Sequence, residues 1–173
     1  MKKLLRFAPL CALLLAIVAF ILMMAGDAIV HDYELLGKVH DFYGGTVVLF
    51  GNGNACVASI KGTIEDAKAA WNAVLAFIFL IIALAALIVS SLMVFVKIKA
   101  LEKFGGIIAL AAGGLLLVAG IFLFFTVPAF AAANDWNLDK YGLGAAWVVS
   151  AILAIVAGIV SALPAVLAIV EKK

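Results

Sequence analysis

The residues of this chain whose types invite chemistry lie close together: His31, Asp32, Glu34, His40 and Asp41. Imidazole and carboxylate suit zinc or copper, but compact metal sites use fixed ligand spacings, and this run matches none of them. A solvated polar segment accounts for the same residues, so no metal ligand is assigned. No Cys-x-x-Cys occurs, which removes the membrane thiol oxidoreductases. His-Glu-x-x-His, Gly-x-Ser-x-Gly and a P-loop are missing too, and Gly51-x-Gly53 reads as a turn and not a phosphate cradle. The sequence predicts no enzyme, no catalytic residue and no cofactor.

The elements that would position any site are set by composition. Of 173 residues, 68% are hydrophobic and 13% charged, with mean hydropathy +1.31. Soluble domains are roughly half apolar and a quarter charged, so water is not the main solvent here. Four uncharged runs stand out: Phe7 to Gly26 (20 residues), Ala69 to Val96 (28), Phe104 to Asn134 (31) and Tyr141 to Val170 (30). Each reaches the roughly 18 to 20 residues a helix needs to cross hydrocarbon. The expected fold is an all-α membrane bundle of four helices, near 5–26, 66–97, 103–129 and 141–170, in one domain over 1–173. Lys2, Lys3 and Arg6 ahead of the first run resemble a signal peptide, but the run is long for that role and is read as a signal anchor.

Orientation follows from lysine and arginine. Eight of the twelve (Lys2, Lys3, Arg6, Lys97, Lys99, Lys103, Lys172, Lys173) fall on one side of the four spans. The positive-inside rule makes that side, with both termini, cytoplasmic. Loops near 27–65 and 130–140 then face outward; with their flanks, from Gly26 to Lys68 and from Ala129 to Tyr141, they hold eight of the ten acids. Trp71, Trp136 and Trp147 fall near the outer helix ends, where indole favours the headgroup zone. Cys11 and Cys56 are too far apart in this topology to pair. The absence of Asn-x-Ser/Thr and the short basic start point to a bacterial plasma membrane. The basic cytoplasmic ends suit orientation and anionic lipid, not nucleic acid.

Within the first outer loop, Thr46–Phe50 and Ala55–Ile60 flank Gly51-Asn52-Gly53-Asn54, which predicts a β-hairpin. The segment Asp27–His40 reads as a short helix or a third strand, and Thr63 with Asp66 as a loose capping box that starts the second helix. No ionisable residue lies in the spans. Their polar side chains, Asn72, Ser90, Ser91, Thr126, Ser150 and Ser161, are expected to bond mainly to their own helix carbonyls. Small residues recur every four positions: Ala146, Ser150, Ala154, Gly158 and Ala162 in the fourth helix, Gly105, Ala109 and Gly113 in the third, Ala8, Ala12 and Ala16 in the first. Such stripes let backbones approach closely, either within one bundle or between subunits. Pro128 is expected to end the third helix and Pro164 to bend the fourth.

This layout resembles the claudin and peripheral myelin protein superfamily of tetraspan membrane proteins. The shared features are inner termini, a long first outer loop with β-strands, a short inner turn, a smaller second outer loop and a long third helix. The family's Trp, Gly-Leu-Trp and Cys pair are not found in the first outer loop, where Gly51-Asn52-Gly53 and Cys56 stand instead. The resemblance implies a structural protein that associates with itself laterally in the bilayer. The surfaces expected to carry this are Thr46, Val47, Val48, Leu49, Phe50, Cys56 and Val57 of the hairpin and Ser150, Ala154, Gly158 and Ala162 of the fourth helix. Strand Thr46–Phe50 lacks the charge or proline that blunts an edge, so it is either open to a neighbouring copy or covered by Asp27–His40. The alternative is an accessory subunit of a transporter or secretion complex, with another membrane protein as partner.

Overall fold

The structure, a computed structural model, describes residues 7–34, 38–58, 60–95 and 99–170. In chain order its elements are α1 (Ala8–Ala25), β1 (Asp27–Glu34), β2 (Lys38–Gly44), α2 (Gly45–Phe50), β3 (Gly53–Val57), β4 (Ile60–Ile64), α3 (Trp71–Phe95), α4 (Lys99–Phe124), α5 (Thr126–Asn134), β5 (Gly142–Leu143) and α6 (Ala145–Val170). Four of these, α1, α3, α4 and α6, are long and apolar enough to cross a membrane, as in a multi-pass membrane protein. The sequence expectation of four spans therefore stands. The ends of the spans differ. The second helix starts at Trp71 and the fourth at Ala145, because the Ala67 and Ala70 N–H groups before the one bond to the Gly51 and Val48 carbonyls, and Gly142–Leu143 before the other pairs with β1. The basic ends at 1–6, 96–98 and 171–173 lie outside the described residues.

Small residues decide how the spans pack. α6 lies along both α1 and α4, α4 also lies along α3, and a slimmer α1–α3 contact closes the ring. Ala12, Ala16 and Ala19 of α1 are fully buried, as are Ala73, Ala76 and Ala83 of α3 and Ala151, Ala154 and Ala157 of α6. Larger Leu, Ile and Val side chains such as Leu14, Ile82, Ile121 and Ile159 point outward. Lipid tails are as apolar as leucine, so nothing drives large apolar side chains inward. What holds helices together is close backbone approach, which alanine and glycine allow.

At one end of the bundle stands a five-stranded antiparallel sheet in the order β4-β3-β2-β1-β5. The expected hairpin is corrected here. Residues Thr46–Phe50 form helix α2 and not a strand; the two hairpins are β1–β2 and β3–β4. β-branched content favours a strand only where a pleated, half-buried surface is on offer. α2 instead covers the end of the bundle, where Val47, Val48 and Leu49 are buried, and it ends on Gly51, whose φ of 79° lets its N–H reach the Val47 carbonyl at 2.8 Å. Thr63 lies in β4 and caps no helix. Asp27–His40 supplies β1 and the start of β2, which settles the open choice between helix and strand.

Pro128 acts four residues earlier than expected. It has no N–H to give the Phe124 carbonyl, so α4 stops at Phe124 and Pro128 falls in the first turn of a new helix, α5, where a missing donor costs little. Phe125 N–H closes a tight turn onto the Phe122 carbonyl at 3.1 Å, and Thr126 Oγ1 donates to the Leu123 carbonyl at 2.8 Å. Much of the expected 130–140 loop is thus helical. Pro164 sits inside α6 without interrupting it.

Candidate assembly surfaces and the contacts beneath them

The fourth-helix stripe is an internal seam. Ser150 and Ala154 are fully buried, Gly158 is buried and Ala162 half-buried, all within a single chain. A Cβ at Gly158 would stand 2.7 Å from the Gly113 carbonyl oxygen and 2.9 Å from Leu117 Cγ. Further along, Ser150 Oγ donates to the Ala19 carbonyl of α1 at 2.7 Å, and Ser161 Oγ to the Ala109 carbonyl of α4 at 2.5 Å. Ser90 Oγ of α3 donates to the Gly105 carbonyl of α4 at 3.0 Å, and Asn72 Nδ2 to the Phe122 carbonyl at 2.8 Å. The sequence placed these bonds mainly within each side chain's own helix. Thr126 bonds locally, to the carbonyl three residues before it, and Ser91 Oγ is buried with no hydrogen-bond partner among the described residues; Asn72, Ser90, Ser150 and Ser161 reach across, because small residues bring the neighbouring backbone within side-chain range.

Trp147 is a second correction. It is not at the lipid interface but fully buried, its Nε1–H donating to the Met23 carbonyl at 3.0 Å at the end of α1. Trp71 and Trp136 are exposed. Hydropathy could not separate the three, since all stand at similar distances from the ends of apolar runs.

The predicted hairpin surface is redistributed. Val47, Val48 and Leu49 offer nothing to a neighbour, Thr46 is half-buried, and Cys56 is a buried free thiol. Phe50 remains 53% exposed, edge-on to Phe77, and Val57 remains exposed. The open strand is β4. The opposite edge, β5, is only two residues long, whereas β4 presents five, and its Ile60 is 75% exposed. The pairing Val57↔Ile60 leaves two residues for the connection. In a hairpin closed so tightly the flanking pair is hydrogen-bonded, and bonded and non-bonded pairs then alternate. Lys61 and Thr63 therefore turn their N–H and C=O away from β3, to the open edge.

That edge reads Ile60-Lys61-Gly62-Thr63-Ile64, nearly a palindrome about Gly62. Laid antiparallel on a copy of itself, it sets Ile60 opposite Ile64 on one face and Lys61 opposite Thr63 on the other. Ile meets Ile and no cation faces a cation, the pattern that stabilises cross-strand pairs. This symmetry was visible in the sequence, but it mattered only once the sheet order made β4 the edge.

The His/Asp/Glu cluster is split by the pleat. Register pairs His31 with Asp41 on one face and Asp32 with His40 on the other. Among the described residues no group of three or more His, Cys, Asp or Glu is arranged to hold a metal ion. On the first face Asp41 is 3% exposed and accepts a 3.4 Å hydrogen bond from Tyr141 Oη. Tyr43 packs there against Phe130, Trp136 and Tyr141. Burial, and after it the Asp41 charge, pushes the Tyr33 and Tyr43 phenols up, while burial first and Tyr43 second push Tyr141 up to about 12.

No known protein-family model matches the chain, and no curated protein matches it in sequence.

Proposed function

We propose that this multi-pass protein is a structural element of the bacterial plasma membrane, without enzymatic activity, that self-associates in a claudin-like manner through its sheet. In this reading the termini are cytoplasmic and the sheet lies outside. The observation that carries it is the β4 edge, which is uncapped by charge or proline at four of its five positions and self-complementary about Gly62. Edge strands of that kind add a partner strand through main-chain hydrogen bonds. A two-fold pairing closes on itself as a dimer, and the lipid-facing helix surfaces leave room for lateral growth.

Gly62 is where a copy would meet itself, as a non-hydrogen-bonded pair about 4.5 Å apart at Cα, within reach of a disulfide. A Cβ at Gly62 meets nothing within 4 Å, so Gly62→Cys leaves the fold intact. In a Cys11→Ala/Cys56→Ala background, Gly62→Cys in lipid is expected to crosslink to dimers on mild oxidation, and Asn52→Cys is not. Thr63→Pro, which removes an outward N–H that β3 does not use, is expected to abolish the Gly62→Cys crosslink. A protein that stays monomeric at every concentration overturns this reading. Steady co-purification with a different membrane protein, and never with itself, favours the accessory-subunit alternative.

A further inference from the structure

The dipeptide His-Asp occurs twice in the β1–β2 hairpin, as His31-Asp32 and His40-Asp41. The register turns this repeat into two crossed pairs on consecutive rungs, His31 opposite Asp41 and Asp32 opposite His40, one on each face. On one face, His40 Nδ1 lies 2.5 Å from Asp32 Oδ1 and its Nε2 3.5 Å from Asp27 Oδ2. The Phe42 ring flanks it at 5.8 Å. On the other face His31 stands between two tyrosine rings, Tyr33 of β1 and Tyr141 of the segment entering β5, each 5.0 Å away. Tyr141 also reaches past His31 to Asp41, and Tyr43 lies beyond it. The titratable groups described beside His40 are therefore the Asp32 and Asp27 carboxylates, with Glu34 and Lys38 register partners two rungs further on the same face, and those beside His31 are the tyrosine phenols and the Asp41 carboxylate. Imidazole changes charge between pH 5 and 8, and an imidazolium is favoured both by a facing carboxylate and by aromatic faces.

We propose that the β1–β2 hairpin carries a one-proton clasp, in which protonation of His40, held between Asp32 and Asp27 of β1, fastens β2 to β1. The sheet is then held more firmly in mildly acidic surroundings than in mildly basic ones. His40 bears on the sign: its hydrogen bond to Asp32, with that to Asp27 behind it, raises its proton affinity against a smaller opposing effect of burial. A histidine raised in the folded state adds stability that is fully present below about pH 6.5 and is lost as pH rises through the folded value.

The test is hydrogen–deuterium exchange of the full-length protein in detergent at about pH 6 and about pH 8, corrected for intrinsic exchange chemistry. Opening of the segments 27–34 and 38–44 is expected to be roughly twofold to fivefold rarer at the lower pH, the size of effect an exposed ion pair gives. Peptides from α3 serve as the reference and should not follow. His40→Gln should remove the pH response, and Asp32→Asn should reduce it. Because those variants loosen the hairpin at both pH values if Asp32 and His40 pair in either protonation state, the His40 imidazole NMR titration of the unsubstituted protein is the second measurement. The His40 ring should titrate above the ordinary histidine value. A pH response that survives His40→Gln, a wild-type sheet indifferent to pH, or a His40 that titrates at or below the ordinary value overturns the proposal.

Discussion

Gly113 and Gly158 hold two helices together by what they lack. A Cβ on either would stand 2.7 Å from the other's carbonyl oxygen, closer than side chains approach. The two positions are reciprocal, so α4 and α6 meet backbone to backbone at this level. Gly158→Leu must push them apart, at a cost on the order of 1 to 3 kcal/mol. The change should appear as a lower thermal midpoint in detergent. Val156→Leu and Val160→Leu, exposed and half-buried beside the seam, should matter much less. Unchanged stability in Gly158→Leu would mean that the seam is not where the helices close.

Ser150 and Ser161 give the same seam its polar ties, one to α1 and one to α4. Each Ser→Ala change removes a cross-helix bond and leaves a carbonyl that is still engaged in its own helix. The expected cost is about 0.5 to 1.5 kcal/mol apiece, the range seen for such bonds in membranes. The two sites contact different helices, so their effects on chemical unfolding should add. A double variant no weaker than either single one would contradict that.

Tyr141 sets an alkaline limit on the sheet. Its phenol is pushed up to about 12, from an ordinary value of 10.0, first by burial. A raised folded value means that the native state holds the proton more tightly than the unfolded chain. The stability this contributes is therefore present below pH 10 and lost as pH climbs towards 12. An ultraviolet titration should show one late-ionising tyrosine that Tyr141→Phe removes, with sheet unfolding over the same interval. Should Tyr141→Phe leave that late step in place, another phenol carries it.

The residue pattern determined by itself that the chain has four helices long and apolar enough to span a bilayer, because hydrocarbon leaves a chain of twenty consecutive apolar residues no other way to satisfy its backbone amides. The small-residue stripes were also legible: Ala8, Ala12 and Ala16 of α1, and Ser150, Ala154 and Gly158 of α6, are buried as spacing suggested. So was a glycine-marked turn after Phe50. Which helix each stripe meets was not, since a stripe carries no address; Gly158 finds Gly113, and Ser150 finds Ala19, only when the ring of helices closes. Local propensity misread Thr46–Phe50, where Val47 and Val48 favour a strand in isolation but are worth more buried over the bundle end as a helix. It also misplaced Trp147, whose indole exchanges the headgroup zone for a hydrogen bond to the Met23 carbonyl. Tertiary structure alone decided that β4 is the edge and that His31 faces Asp41 and not Asp32. The first depends on strand order, which joins β1 to β5 across more than a hundred residues, and the second on the β1–β2 register, which the length and geometry of the turn set; composition and periodicity encode neither.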